Sequence, residues 1–237
     1  MPIHRLKYLK ESEAYLKHVV SVWGKYFAAQ RDLKIFFDKI DSDEEKDLFL
    51  RVGSFYRFLV VEGKYQFSRS IWNNGMSYID DSYKYIAIFS LIEALDSPSK
   101  YIDFYQWLHR NKKDINLDIE TPFLSKIDNA YKKYKSEYGA TNAAIQFFSR
   151  LDKEDQLFIQ NSLKIKGKQS SLKQLSQFLY NIRSQFVHQA NLVLNFGGII
   201  SVGRQRKKNI VVNVSIKDMC WLFEHGFLKR FGHKERT

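Results

Sequence analysis

Arg183 and His188 lie in one apolar segment of the chain, with four residues between them. Arginine is a permanent cation whose planar guanidinium fits phosphate oxygens, and histidine is the side chain best suited to moving protons near neutral pH. A phosphate ligand and an acid or base are what metal-independent cleavage of RNA requires. The spacing alone is weak evidence, because it arises by chance in many chains of this length.

The same residues also have an ordinary structural interpretation. In it, Arg183 forms a salt bridge at the edge of a helix and His188 faces solvent. Glu93 bears on this choice, because it lies in an apolar run and a buried carboxylate needs a partner, for which Arg183 is a candidate. The alternative for Glu93 is an exposed position near the end of its helix. The sequence leaves these interpretations open.

A helix that begins at Ser170 or Ser171 is predicted to carry the motif. At about 100° per residue, one stripe of this helix holds the apolar residues Leu172, Leu175, Leu179, Ile182, Phe186 and Ala190. Arg183 lies at the margin of the stripe. His188 lies about 140° away from Arg183 around the helix and about 7.5 Å further along it. Either the helix bends near the motif, or the two residues meet across an interface.

The flanks of the motif resemble the HEPN superfamily, and within it the ApeA-like branch. Residues 179–188 read Leu-Tyr-Asn-Ile-Arg-Ser-Gln-Phe-Val-His, and residues 85–95 end an apolar run in Glu-Ala-Leu. The resemblance covers roughly residues 76–235. It departs at Ser184, where members often have Asn, Asp or His, and at Gln189, where many have Gly.

The resemblance implies a metal-independent endoribonuclease, with Arg183 and His188 as catalytic residues and no cofactor or metal. It also implies a homodimer in which two motif helices pair around a two-fold axis. A defence or toxin–antitoxin role, with an antitoxin or defence partner protein, would follow. The supporting residues are expected to be Tyr180, Ser184, Gln185 and Glu93.

Two further functions remain open at this point. One is a non-catalytic HEPN module that binds nucleic acid or a partner protein. The other is a structural dimerisation domain without a polyanionic partner. The first would keep a basic surface without the chemistry, and the second would retain no RNA at any salt concentration.

Positive charge is concentrated in the part of the chain that carries the motif. The whole chain has a net charge of +12, and residues 164–237 hold fourteen Lys or Arg against three Asp or Glu, a net +11. Such a segment attracts phosphate backbones and favours a polyanionic partner over the alternative, a solvated lysine-rich surface. The predicted RNA-binding residues are Lys164, Lys166, Lys168, Arg204, Arg206, Lys207 and Lys208.

The predicted fold is mainly α, a HEPN-like helical bundle with one small β-hairpin between about residues 195 and 215. A helix capped by Asp152 is expected to end near Gly167. Residues 1–75 are predicted to form a helical region packed on the core, with one long helix through residues 8–27, and residues 76–237 the HEPN-like domain. A sheet of four or more strands would contradict a fold with a single hairpin.

Composition limits the class of protein further. Apolar residues make up 44% of the chain and aromatic residues 16%, enough for a packed core. One cysteine excludes an internal disulfide, and no Cys/His pattern indicates a metal site. No signal peptide or long apolar run is present, which predicts a soluble, cytoplasmic protein without membrane contact.

Overall fold

The computed structural model describes residues 6–64, 76–96, 102–111, 123–165, 167–189, 201–205 and 208–233. Within these ranges, the side chains of 76–78, 123–124, 165, 189, 201–205 and 208–210 are not described. Ala190, predicted to lie on the apolar stripe of the motif helix, is outside the described residues. The structure is mainly helical, which confirms the predicted fold class.

Helices occupy most of the described chain. They are α1 (Lys7–Lys10), α2 (Ser12–Trp23), α3 (Gln30–Asp38), α4 (Asp43–Tyr56), α5 (Met76–Asp96), α6 (Phe104–Arg110), α7 (Phe123–Tyr138), α8 (Ala140–Arg150), α9 (Lys153–Asn161), α10 (Leu172–Gln189) and α11 (Ile216–Arg230). A 3₁₀ turn (Gly24–Tyr26) follows α2 and a π-helical turn (Arg57–Val61) follows α4. The single long helix predicted through residues 8–27 is wrong, because Glu11 interrupts it with a non-helical ψ of 32°.

Four strands form one small antiparallel sheet, in the order β2-β1-β4-β3. The strands are β1 (Leu163–Ile165), β2 (Lys168–Gln169), β3 (Ser201–Gln205) and β4 (Lys208–Val212). β3 and β4 form the predicted C-terminal hairpin. The prediction of a single hairpin is wrong, because a second hairpin joins the first through pairing of β1 with β4 and makes the sheet four-stranded.

The second hairpin corrects the prediction of a helix that continues to Gly167. α9 ends at Asn161, and Ile165 pairs with Lys168 across a turn that contains Gly167. Gly167 has a φ of +75°, the left-handed conformation that such tight turns need. A tight turn between two short strands therefore stands where the sequence was interpreted as the end of a helix.

One hydrophobic cluster joins the N-terminal helices to the rest of the chain. Its members run from Val19 in α2 to Leu228 in α11. Trp23 packs against Phe227, with ring centroids 4.3 Å apart, and its Nε1 donates to the carbonyl of Glu224 at 3.1 Å. Residues 65–75 lie outside the described residues, so the proposed domain boundary near residue 75 stays a prediction.

A buried carboxylate fixes α11 against the N-terminal helices. Glu224 is only 6% exposed and accepts hydrogen bonds from Tyr56 at 2.9 Å and Tyr26 at 2.6 Å. Lys25 lies 2.6 Å from the same carboxylate. A buried charge is costly unless it is paired and hydrogen-bonded. These three partners therefore offset the desolvation free energy of the Glu224 carboxylate.

A smaller cluster lies under α6 and α7. It contains Ile102, Trp107, Ala130 and Tyr134. Trp107 Nε1 donates to Glu137 at 2.7 Å, which joins the two helices. Among the described helices, none has the length and apolar character required to cross a membrane.

Candidate active site

The motif helix α10 begins at a capping box. Ser171 Oγ accepts from the backbone N–H of Gln174 at 3.3 Å, and Gln174 Oε1 accepts from the N–H of Ser171 at 3.1 Å. These bonds satisfy two of the unpaired donors at the first turn and confirm the predicted start at Ser170 or Ser171. From there the helix runs without a π-helical or 3₁₀ interruption to Gln189.

α10 packs on α5 and α8 through the predicted apolar stripe. Leu175, Leu179 and Ile182 are buried, while Leu172 and Phe186 are half-buried. Tyr85 of α5 reaches across and donates to the carbonyl of Leu179 at 2.7 Å. This packing fixes the rotation of α10, and Arg183 then falls at the margin of the buried face.

Arg183 and Glu93 form an ion pair between α10 and α5. Nη2 of Arg183 lies 3.4 Å from Oε1 of Glu93 and 3.5 Å from Oε2, and the side chains are 17% and 23% exposed. The pairing that the sequence suggested is therefore present. Its distances exceed those of a normal N–H···O bond, so the guanidinium is oriented but not saturated. Nε of Arg183 is buried and has no hydrogen-bond acceptor among the described residues.

The electrostatics of this pair extend to Tyr180. Burial raises the pKa of the Glu93 carboxyl, and the positive charge of Arg183 opposes this. Burial also raises the pKa of the Tyr180 phenol, the negative charge of Glu93 raises it further, and the charges of Arg183 and Lys135 oppose the rise. The guanidinium carbon of Arg183 lies 5.9 Å from the centre of the Tyr180 ring.

Lys135 is a residue of this neighbourhood that the sequence did not indicate. It belongs to α7, distant in sequence from α10, and its charge acts on the Tyr180 phenol. The helical pattern of α7 predicts which face is buried, but it carries no information about which helix lies opposite. Only the tertiary structure lets the charge of Lys135 act on Tyr180.

His188 is exposed near the end of α10, and no hydrogen bond or ion pair joins its side chain to the described residues. Because α10 is uninterrupted, Arg183 and His188 keep the divergence of about 140° expected for a straight helix. No 3₁₀ or π-helical turn lies between them in the described helix. The neighbouring Val187 is 47% exposed, and Tyr83 of α5, at 44%, contacts the half-buried Phe186 with ring centroids 5.8 Å apart.

Ser184 and Gln185 follow Arg183 on α10, and both are half-buried. Neither side chain makes a hydrogen bond to another described residue. Tyr180, one turn before Arg183, is half-buried beside the ion pair. Three of the four predicted supporting residues thus lie half-buried on the motif helix, and their assigned roles stay predictions.

The predicted RNA-binding residues are only partly described. Lys164 and Lys168 are exposed on β1 and β2. Arg204 pairs in register with Asn209, and Lys208 with Gln205, although only the backbone of these strands is described. Lys166, Arg206 and Lys207 lie outside the described residues.

Acids from earlier in the sequence neutralise part of the C-terminal positive charge. Lys229 lies 2.7 Å from Asp152, and Arg230 lies 2.9 Å from Glu45. Together with the Arg183–Glu93 pair, three of the fourteen basic residues are thus engaged. The positive charge that stays unpaired in the folded protein is therefore smaller than the net +11 counted along residues 164–237.

Comparison of the chain with protein-family models, curated proteins and solved structures finds no match. Within the described residues, no group of three or more His, Cys, Asp or Glu is arranged to hold a metal ion. The resemblance to HEPN domains thus rests on residues 85–95 and 179–188.

Proposed function

We propose that this protein is a metal-independent endoribonuclease of HEPN type. The observation that carries the proposal is the incomplete pairing of Arg183. Its guanidinium is held by Glu93 at 3.4 to 3.5 Å, beyond ordinary hydrogen-bond length, so it keeps donors for a phosphate. An oriented but unsaturated arginine at the surface of a helix is what bidentate recognition of a phosphate needs.

In the proposed reaction His188 acts as a general base on a ribose 2′-hydroxyl. The 2′-oxygen then attacks the adjacent phosphorus and the bond to the 5′-oxygen breaks. Arg183 stabilises the negative charge that develops on the phosphate oxygens. The leaving 5′-oxygen takes a proton from water and the imidazolium of His188 returns its proton to solvent, so that the products are a 2′,3′-cyclic phosphate and a 5′-hydroxyl.

The site is proposed to be shared between two copies of the chain. Arg183 and His188 diverge on one uninterrupted helix, so a single chain does not bring them onto the same phosphate. The exposed apolar side chain of Val187, next to His188, suits a contact between copies. A two-fold axis beside α10 would place His188 of one copy near Arg183 of the other.

A second candidate function is a non-catalytic module that binds nucleic acid or a partner protein. The observation that favours it is the same ion pair, interpreted as a structural contact between α5 and α10. In that case RNA binding would depend on the basic hairpin, and His188 would have no role.

Incubation of labelled single-stranded RNA with the protein in EDTA distinguishes the two functions. The nuclease proposal predicts cleavage that leaves 2′,3′-cyclic phosphate ends. His188→Ala should lower the rate about 10² to 10⁴-fold while RNA affinity is retained. Arg183→Ala should lower both rate and affinity, because it removes a permanent phosphate ligand. Varied RNAs that stay intact, or His188→Ala cleaving like wild type, would leave only the binding function.

A further inference from the structure

The hydroxyl of Tyr85 makes a hydrogen bond to the backbone of the motif helix. Tyr85 is 2% exposed on α5, and its hydroxyl donates to the carbonyl of Leu179 on α10 at 2.7 Å. Leu179 is fully buried and lies well inside α10, at the eighth of its eighteen positions. A carbonyl inside a helix also accepts the helical hydrogen bond, so the Leu179 oxygen has two donors.

The second donor to the Leu179 carbonyl is the backbone N–H of Arg183. In an α-helix each N–H bonds to the carbonyl four residues earlier, and Leu179 is four residues before Arg183. Tyr85 and the backbone of Arg183 therefore share one acceptor oxygen. The hydroxyl of Tyr85 thus holds the helical turn from which the side chain of Arg183 extends.

The helix α5 also contacts the other end of Arg183. Glu93, which follows Tyr85 by eight residues on α5, lies 3.4 Å from Nη2 of Arg183. That distance exceeds a normal hydrogen bond, whereas the 2.7 Å between Tyr85 and Leu179 is the usual length for an O–H donor. Of the two contacts from α5, the one at the backbone is therefore the better formed.

The ring of Tyr85 is itself fixed by packing in the core. Its centroid lies 4.8 Å from that of Phe89, one turn later on α5, and Phe89 lies 6.4 Å from Phe148 of α8. Both phenylalanines are fully buried. A ring in such a close-packed core cannot turn to another acceptor without repacking its neighbours. A phenylalanine would fill nearly the same volume, so packing alone does not require the hydroxyl.

We propose that Tyr85 is a positioning residue for Arg183. Through the Leu179 carbonyl it holds α10 in the rotation that directs the guanidinium towards the scissile phosphate, and it does not contact RNA itself. The inference rests on the proposed function and adds to it a buried residue outside the Arg183–His188 motif. Stabilisation of a transition state depends on the placement of charge more steeply than substrate binding does, so loss of the hydroxyl should lower kcat and leave KM unchanged.

Amide hydrogen exchange followed by NMR tests the positioning of Arg183 without any need for activity. Tyr85→Phe keeps the ring and removes the hydroxyl. The backbone amide of Arg183 should then exchange about 2- to 12-fold faster, the change expected for loss of one hydrogen bond, while the amides of α2 keep their rates. The matched control is Tyr134→Phe, which removes a buried hydroxyl 2.9 Å from the carbonyl of Ile102 and should leave the Arg183 amide unchanged.

Cleavage kinetics test the consequence for catalysis. Tyr85→Phe should lower kcat about 10- to 100-fold, the scale for a displaced catalytic group, with KM unchanged. When the protein also carries Arg183→Lys, the same substitution should have a smaller effect. A lysine is a point charge on a flexible stem, so its action depends less on the rotation of the helix.

The results that would overturn the proposal differ from failure of the nuclease proposal. An unchanged exchange rate at Arg183 in Tyr85→Phe overturns it, and so does equal acceleration of all amides, because that indicates a loss of global stability alone. Equal losses of kcat with and without Arg183→Lys also overturn it. Faster exchange confined to the turn around Arg183, in a protein whose wild type never cleaves RNA, supports the positioning by Tyr85 and ends the nuclease proposal alone.

Discussion

Arg183 and Glu93 meet at the contact between α10 and α5, with Nη2 3.4 Å from Oε1 and both side chains less than one quarter exposed. The pair places a permanent cation at the surface of the motif helix and fixes its direction. It also places a carboxylate where an incoming phosphate would be repelled. Glu93 is therefore expected to act as a positioning residue for Arg183, at some cost in affinity for RNA.

Replacement of Glu93 by Gln tests the pair through the pH dependence of stability. Burial raises the pKa of Glu93 above its ordinary value of 4.5, with Arg183 in opposition. The folded state then binds more protons than the unfolded state just above pH 4.5, so wild-type stability falls as pH rises through that window. Glu93→Gln cannot titrate, and its stability relative to wild type should rise over the same window.

Urea unfolding below pH 4.5 and near neutral pH measures this difference. Glu154→Gln, at an exposed position of α9, is the control and should show no such change. For cleavage, Glu93→Gln should lower kcat, since the guanidinium is no longer oriented, without weakening RNA binding. If the pH dependence of stability is the same in Glu93→Gln and wild type, burial does not raise the pKa of the Glu93 carboxyl in solution.

The sequence predicted the parts of the site that depend on local pattern. The start of α10 at Ser171 and the buried residues Leu175, Leu179 and Ile182 follow from capping and from helical periodicity. The proximity of Glu93 to Arg183 could also be inferred, because an acid in an apolar helix needs a partner.

Other features depend on tertiary contacts that no local pattern in the sequence indicates. Lys135 lies on α7, and nothing in its local pattern indicates α10 as a neighbour. The strands β1 and β2 are only three and two residues long, too short for a period-two pattern to separate them from the end of a helix.

Val187→Asp is expected to separate the proposed dimer. Val187 is 47% exposed beside His188, and a charge there would oppose burial against a second copy. Sedimentation equilibrium at tens of micromolar should show monomer in place of dimer, and RNA cleavage should fall with it. Val61→Asp is the matched control, since Val61 is 53% exposed in the π-helical turn after α4. Wild-type protein that sediments only as monomer would count against a shared site.

Neutralising the C-terminal hairpin should weaken RNA binding and flatten its dependence on salt. The variant replaces Arg204, Arg206, Lys207 and Lys208 by alanine. For each phosphate that the variant no longer binds, the log–log slope should fall by about 0.7 for single strands. The control removes four exposed lysines of the N-terminal region, Lys7, Lys10, Lys34 and Lys39, with the same reduction in charge. Equal effects of the two variants would remove the hairpin from the RNA-binding surface.

Tyr56→Phe should destabilise the protein without changing its chemistry. Tyr56 is fully buried, and its hydroxyl donates to Glu224 at 2.9 Å. Removing this hydroxyl leaves a buried carboxylate with fewer donors, at a cost of about 1 to 3 kcal/mol. Urea unfolding should detect this, whereas Tyr105→Phe, at an exposed tyrosine, should unfold like wild type. Cleavage per folded molecule should stay constant, and a fall would mean that the Glu224 network reaches the site.

Mixing two inactive variants tests the central claim most directly. Arg183→Ala and His188→Ala are each expected to be inactive alone, because every shared site then lacks one residue. After unfolding and refolding together, about half of the dimers are mixed and each holds one intact site of two, so about one quarter of wild-type cleavage should return. If the mixture stays as inactive as its components while the wild-type protein cleaves, Arg183 and His188 do not act across two copies.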